Sequence, residues 1–246
     1  MKNIELVVEE MILWMRERVQ EAGAKGIVYG LSGGIDSAVI AAIVERAFPG
    51  KNIGILMPCF SNPLDEEHGY LIAKTFNLKT KKVDLNEAFD TMKKTFGSDG
   101  KEPKLVLANV KARLRMITVY YHSAMNNYLV VGTGNRSEIA IGYFTKFGDG
   151  GSDMLPLASF VKSEIYELAS HLGVPEIIIA KPPTAGLWEN QTDENEMGMT
   201  YDQLDNYLLA GQAEAFVKEK IDRMNKKSEH KRNTAPKFLP SEKIIK

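Results

Sequence analysis

The sequence has one cysteine, no long apolar run and almost no net charge, and each scarcity removes a class of protein. With Cys59 alone among 246 residues, neither an internal disulfide nor a multi-cysteine zinc or iron–sulfur site can form. Cys59 follows an apolar run in Leu56-Met-Pro-Cys-Phe60, so a half-buried structural thiol is expected there; a nucleophile would need a lowered pKa. No window reaches the roughly 18 uninterrupted apolar residues of a membrane span. The N-terminal stretch MKNIELVVEEMILWMRERV carries acids inside its apolar pattern, unlike a signal peptide. A cytoplasmic protein without a membrane partner is therefore expected. Lys plus Arg (31) nearly cancel Asp plus Glu (32), so no bulk field draws the chain to nucleic acid.

What is present reads as one domain over residues 1–246, a length that can bury a sizeable core. Ile4, Val7, Val8, Met11, Ile12 and Met15 recur at helical spacing, and Gly26–Tyr29 is a short apolar strand. A buried helix over 38–44 and a strand over 52–57 follow. The alternation continues with a helix over 64–77, a strand over 80–85, a long helix over 105–126, a strand over 128–132 and a helix over 162–172. Near-continuous apolar strands alternating with helices predict an α/β fold: a single Rossmann-like, doubly wound parallel sheet with helices on both faces and extra C-terminal helices. Phe96–Pro103 and the glycine-bearing Lys146–Asp153 break the rhythm as loops, the second expected to be mobile, as are 147–153 and 185–200 more widely. Residues 189–205 hold six acids and no Lys or Arg, whereas 218–246 hold ten Lys or Arg against four acids. Composition alone makes that basic tail, most marked over about 227–246, a solvated helix running into a frayed terminus.

The chemistry concentrates in Tyr29-Gly-Leu-Ser-Gly-Gly-Ile-Asp-Ser-Ala38. A strand that feeds a glycine pair and then a helix gathers free N–H groups and the positive helix end around one concave spot, which attracts phosphate. Gly33 and Gly34 clear the approach, and Ser32 and Ser37 add hydroxyl donors. The loop lacks the Gly-Lys-Ser/Thr ending of a Walker A sequence and the third glycine of a dinucleotide fingerprint. Asp36 stands where a lysine might. An acid beside an anion calls for a cation between them, predicting Mg²⁺; an acid in a first helical turn also stabilises the helix by itself, and the loop alone does not choose.

The string Leu31-Ser-Gly-Gly-Ile-Asp-Ser-Ala-Val39 resembles the pyrophosphate loop of the ATP pyrophosphatases, which cleave ATP to AMP and pyrophosphate. Four further strings, Val131-Gly-Thr-Gly-Asn-Arg-Ser-Glu138, Thr145-Lys-Phe-Gly-Asp-Gly-Gly-Ser-Asp153, Lys181-Pro-Pro-Thr-Ala-Gly-Leu-Trp188 and Gln191-Thr-Asp-Glu194 with Tyr201–Asp205, are similar in order and spacing to the NAD synthetase family. Glutamine-dependent members carry an additional glutaminase domain for which 246 residues leave no room, so the short, ammonia-dependent form is expected.

The resemblance implies amidation of deamido-NAD⁺ by ammonia through an adenylated carboxylate, with ATP and Mg²⁺ and with no acid–base residue in the chemical step. It implies ATP contacts at Gly30, Leu31, Ser32, Gly33, Gly34, Ile35, Asp36, Ser37, Thr133, Lys162 and Thr184, and Mg²⁺ ligation by Asp36 and Glu138. It implies deamido-NAD⁺ contacts at Arg113, Lys146, Asp153, His230 and Lys231, and a homodimer in which the helix 105–126 contributes to the dinucleotide site. Read by themselves, Glu138 is a first-turn helix acid and Lys162 an exposed helix residue. Trp188 is open between ring stacking and core packing, and His68, His122 and His171 are structural or solvent-facing. The chain departs from the family at Ala158-Ser159, where a Gly-Asp pair is usual, at Ser163 for Thr, and at Asn190 for Gly. Another ATP pyrophosphatase acting on tRNA would need an RNA-binding surface and often more cysteines. A regulatory module that binds ATP without turnover would have no need of both proposed Mg²⁺ carboxylates.

Overall fold

The computed structural model describes residues 3–184, 186 and 192–240. Four strands, β1 (Ile27–Gly30), β2 (Asn52–Leu56), β3 (Thr80–Lys82) and β4 (Leu129–Val131), form one sheet of order β3-β2-β1-β4. Every pairing is parallel, and a single parallel bridge from Val131 to Met154 extends the sheet beyond β4. Eleven helices are described: α1 (Ile4–Glu21), α2 (Ile35–Ala47), α3 (Pro63–Thr75), α4 (Asn86–Thr95), α5 (Lys104–Asn126), α6 (Arg136–Ile141), α7 (Lys162–Leu172), α8 (Glu176–Ile179), α9 (Asp193–Met197), α10 (Tyr201–Ala210) and α11 (Ala215–Arg232).

Both sheet faces are buried, which is why the strands lack polar alternation. Ile27, Tyr29, Leu56 and Val131 face a core built with α1, α2 and α7. Val28, Ile55 and Val130 face the other side, where Val119 of α5 covers them. This is the doubly wound architecture expected from the alternation. A smaller cluster of Ile141, Met197, Met199, Tyr201, Leu204, Val217 and Ile221 joins α6 to the C-terminal helices α9, α10 and α11.

Strand order reverses between β1 and β4: β1 leads outward to β2 and β3 on one side, while β4 returns to the other. In an open parallel sheet this point leaves a crevice at the carboxyl ends of the strands. The helices that leave β1 and β4 are α2 and α6, so their first turns flank the crevice.

Two segments differ from their sequence reading, and a third is the loop expected. The third strand ends at Lys82 rather than near Leu85, although Val83 and Leu85 still donate to Leu56 and Pro58 carbonyls. Helix α4 has no counterpart in the sequence reading, although Leu85, Phe89 and Met92 recur at helical spacing along its buried side. The glycine-bearing 146–153 segment is a hydrogen-bonded turn packed on α5. Thr145 N–H donates to Asp149 Oδ1 at 2.9 Å, and a Cβ on Gly148 would stand 3.0 Å from that of Ala112. Of the 185–200 segment, residues 185 and 187–191 lie outside the described residues.

Candidate active site

The phosphate-attracting loop ties up two of its own donors, Gly34 N–H on Ser32 Oγ and Ser32 N–H on Ser37 Oγ, each at 3.3 Å, and leaves the first-turn N–H groups of α2 for a ligand. Gly34 caps α2 without a side-chain bond, so the first-turn N–H groups of α2 receive nothing from a capping side chain. Ser37 Oγ donates to Gly34 O at 2.8 Å and lies 3.1 Å from Ser32 Oγ, which closes the loop into a small ring of hydroxyls. Gly33 has φ +76°, and a Cβ there would meet Asp65 O at 2.3 Å, so glycine is required. At Gly34 the nearest atom to such a Cβ is Ser32 Oγ, 3.4 Å away, which the fold would accommodate.

Across the switch point, three charged groups meet. Lys162 Nζ, from the first residue of α7, lies 2.6 Å from Asp36 Oδ2 and 3.5 Å from Glu138 Oε1. The Lys162 side chain is 2 % exposed, which overturns its reading as an exposed helix residue. Asn135 links the two acids: its Nδ2 donates to Asp36 Oδ1 at 2.9 Å, and its Oδ1 accepts from Glu138 N–H at 3.0 Å. Glu138 Oε2 accepts from Asn135 N–H at 3.3 Å, so the first-turn role foreseen for Glu138 is real and coexists with its contact to Lys162.

Two acids against one lysine leave this cluster short of positive charge. Burial, and then the Asp36 carboxylate, push Glu138 up to about 8, against the opposing pull of Lys162. Burial alone would lower Lys162, but Asp36 and Glu138 outweigh it and hold the ammonium charged. Burial raises Asp193 as well. Its carboxylate accepts from Tyr201 Oη at 2.9 Å and Tyr143 Oη at 3.1 Å, and the Tyr201 ring lies under Lys162 Nζ, 5.0 Å away. Behind these groups sits Asp205 of α10, 3 % exposed. Asp205 accepts from Ser163 N–H at 2.7 Å and from Ser137 Oγ at 2.5 Å, and Ser137 Oγ accepts from Lys162 N–H at 3.1 Å. One buried carboxylate thus ties α6, which carries Glu138, to α7, which carries Lys162. Ser163 takes part through its N–H rather than its hydroxyl.

A cavity of about 690 Å³ runs from this cluster along the C-terminal edge of the sheet. Among the predicted residues Gly30, Leu31, Ser32, Gly34, Ile35, Asp36, Ser37, Thr133, Glu138, Lys162 and Thr184 line it together with Arg113, Lys146, His230 and Lys231. At the basic end of α11, half-buried Lys231 and exposed His230 border the cleft, while Lys226 and Lys227 face solvent. Lys231 Nζ donates to Gly142 O at 2.7 Å and Phe144 O at 2.6 Å, Lys146 Nζ donates to His230 O, and Arg113 donates to Lys146 O at 3.3 Å. A Cβ on Gly142 would meet Ser228 Cβ at 2.1 Å, so that glycine lets α11 approach α6.

Two predicted residues do not line the cavity themselves. Gly33 is pressed against the cleft-lining Asp65, and Asp153 accepts from Val130 N–H at 2.7 Å and Tyr120 Oη at 3.0 Å, which fixes the chain beside β4. Trp188 and Asn190 lie outside the described residues. Cys59 is fully buried and burial pushes its thiol up, as a structural role requires. Sequence reasoning missed Arg115, which donates to Met57 O at 3.1 Å and Ser61 Oγ at 3.0 Å, and the Lys181–Asp65 pair at 2.7 Å. Lys181 and Asn135 lay inside strings already singled out; nothing local marked Asp65.

The family described as NAD synthase matches residues 7–235. A protein of Carboxydothermus hydrogenoformans named NH(3)-dependent NAD(+) synthetase is 52% identical, over 94% of this chain and 96% of its own length. Two solved structures are similar along nearly their whole length. An NMN synthetase from Francisella tularensis is 34% identical with a TM-score of 0.91, covering 97% of this chain and 99% of its own. An NH3-dependent NAD synthetase from Campylobacter jejuni, solved with nitrate, is 30% identical with a TM-score of 0.80 over the same shares.

Proposed function

This chain belongs to the NAD synthase family, and from that premise we propose how its cleft divides the work of an NH3-dependent NAD⁺ synthetase. The enzyme is a ligase: it joins ammonia to the nicotinate carboxylate of deamido-NAD⁺, with ATP cleaved to AMP and pyrophosphate. The observation that carries the assignment of residues is the single cavity uniting the phosphate loop, the Asp36–Lys162–Glu138 cluster, the cations Arg113, Lys146 and Lys231, and His230. The cleft is lined by residues spread from Gly30 to Lys231, and α1 packs into the same core, so we read residues 1–246 as one functional unit.

Free N–H groups of Ile35–Ser37 and the Ser32 and Ser37 hydroxyls hold the β- and γ-phosphates, leaving the α-phosphate beside Lys162. Thr133 and Thr184 complete the ATP contacts. The nicotinate carboxylate attacks the α-phosphorus, pyrophosphate leaves, and ammonia then displaces AMP from the acyl phosphate. Such a displacement depends on alignment and on charge neutralisation more than on a proton carrier, and the fixed positive charge of Lys162 supplies part of it. Arg113, Lys146 and Lys231 give the dinucleotide's pyrophosphate its counter-charge at the other end, with His230 beside them as a hydrogen-bonding group. Asp153 contributes there by holding the backbone beside β4.

The acids of the cluster suit Mg²⁺: they are hard oxygen donors, close enough to share one ammonium, and burial and then Asp36 hold Glu138 up, which a bound cation would relieve. Asp36 and Glu138 would hold the ion, which neutralises phosphate charge when bound. Helix α5 leaves Ile117, Tyr121 and Met125, at four-residue intervals, about 60 % or more exposed, with Leu105 similarly exposed near its start. That apolar stripe, beside Arg113, supports a homodimer built on α5. No described helix is long and apolar enough to cross a membrane, in keeping with a cytoplasmic enzyme.

The test is pyrophosphate release from ATP with Mg²⁺, deamido-NAD⁺ and ammonium each omitted in turn, and NAD⁺ followed in parallel. Release coupled one-to-one to NAD⁺ is expected. Because one similar structure is an NMN synthetase, nicotinate mononucleotide is run as a competing acceptor. Faster turnover of the mononucleotide would overturn the dinucleotide assignment while leaving the ATP half of the cleft intact.

A further inference from the structure

A second lysine stands at the phosphate loop. Lys181 Nζ lies 2.7 Å from Asp65 Oδ1 and 3.5 Å from Gly33 O. Both side chains are largely buried, 17% and 19% exposed, and both line the cleft. They arrive from different edges: Asp65 sits in the first turn of α3, after β2, and Lys181 follows α8. The turn at Gly33 is pressed directly against Asp65, whose carbonyl leaves no room for a Cβ.

A polyphosphate seated on Gly34–Ser37 would therefore bring its charge towards the Asp65 carboxylate, an unfavourable approach unless a cation lies between them. Lys162 is engaged by Asp36 and Glu138 at the helix end of the loop. At the turn end, Lys181 is the cation paired with Asp65 among the described residues. We propose that Lys181 is a further ATP-binding residue. Asp65 holds its ammonium beside the loop in the free enzyme, and on binding the ammonium donates to the phosphates that depart as pyrophosphate. The proposal rests on the loop being the polyphosphate site.

A fixed latch between α3 and the 181–184 segment would use the same two side chains, and the two roles differ in sign at Asp65. A latch needs both partners, so Asp65→Asn would damage binding as Lys181→Met does. A phosphate ligand for which Asp65 competes binds at least as tightly once Asp65 becomes neutral.

The experiment is calorimetric titration of the full chain with inorganic pyrophosphate, ATP and AMP, each with Mg²⁺, for wild type, Lys181→Met, Lys181→Arg and Asp65→Asn. Loss of one charge-assisted hydrogen bond weakens pyrophosphate and ATP by roughly 10- to 100-fold in Lys181→Met, with AMP nearly unchanged. Lys181→Arg retains most of the affinity, and Asp65→Asn equals or exceeds wild type. Should Lys181→Met not fold, Lys181→Gln serves the same comparison. Pyrophosphate binding in Lys181→Met within about twofold of wild type, against the roughly tenfold minimum expected, overturns the proposal. So does an Asp65→Asn loss as large as that of Lys181→Met. Wild type that binds neither ATP nor pyrophosphate overturns the loop assignment and this proposal with it, whereas intact wild-type binding with an inert Lys181 overturns this proposal alone.

Discussion

Replacing Glu138 by Gln should stabilise the fold while abolishing synthesis. Glu138 ionises in the unfolded chain near 4.5 but in the folded chain near 8, because burial and Asp36 oppose its charge. Between those values the folded chain holds a proton that the unfolded chain has lost, so the contribution of this site is fully present below pH 4.5 and declines as pH rises to about 8. At roughly 1.4 kcal/mol per pH unit, the decline has reached about 3 kcal/mol by pH 7. Gln keeps an acceptor for the Asn135 N–H, and Lys162 keeps Asp36 at 2.6 Å, so the pair that remains is balanced. Allowing for the lost contact at 3.5 Å, Glu138→Gln gains about 2 kcal/mol at pH 7. For a chain of this length that is a rise in Tm of about 4–8 °C. Thermal melts of both proteins without nucleotide, from pH 5 to pH 8, give the readout, with pyrophosphate release measured beside them. The gap between variant and wild type must widen as pH rises. A gap that is flat, or that narrows towards pH 8, would refute the claim that an unneutralised carboxylate sits in this cleft.

Three further outcomes follow from the same geometry. Gly33→Ala meets both a left-handed backbone and the Asp65 carbonyl and should cost more than about 2 kcal/mol by denaturant titration, whereas Gly34→Ala should melt like wild type yet lose ATP affinity; equal stability of the two would count against the loop geometry. Asp205→Ala strands Ser163 N–H and Ser137 Oγ in a buried site, an expected loss of about 2–4 kcal/mol with activity reduced further, and Asp205→Asn should recover part of both; urea melts and initial rates decide. Cys59 should resist a thiol reagent at pH 8 in the native enzyme and react promptly in urea, since its sulfur is fully buried and its ionisation is opposed by burial; rapid labelling of the folded chain would contradict this placement.

The alternation of strands and helices was legible because each element announces itself locally: β1 and β2 through short apolar runs, α2 through a continuous buried face, and the phosphate loop through glycines joining strand to helix. Helix α4 is short and carries its period in only Leu85, Phe89 and Met92, which makes it easy to pass over, and the packing of the 146–153 loop on α5 is invisible in its own composition. The basic tail posed the same difficulty. Charge pattern alone describes a solvated helix, and only the close approach of Ser228 to Gly142 brings His230 and Lys231 to the border of the cleft.

The sequence by itself determined the chemistry on offer: an anion loop, two candidate metal carboxylates and a set of cations, each set by residue type and near-neighbour spacing. Only the tertiary structure decided which of them meet. Lys162 reaches Asp36 across 126 residues, Asn135 reaches it across 99, and Lys181 reaches Asp65 across 116. Those meetings depend on β4 returning beside β1 rather than beyond β3, an order that burial on both faces leaves unspecified along any one strand. Hydrogen bonds and ion pairs act over a few ångströms, so a pairing fixed by strand order leaves little trace in the local pattern of the chain.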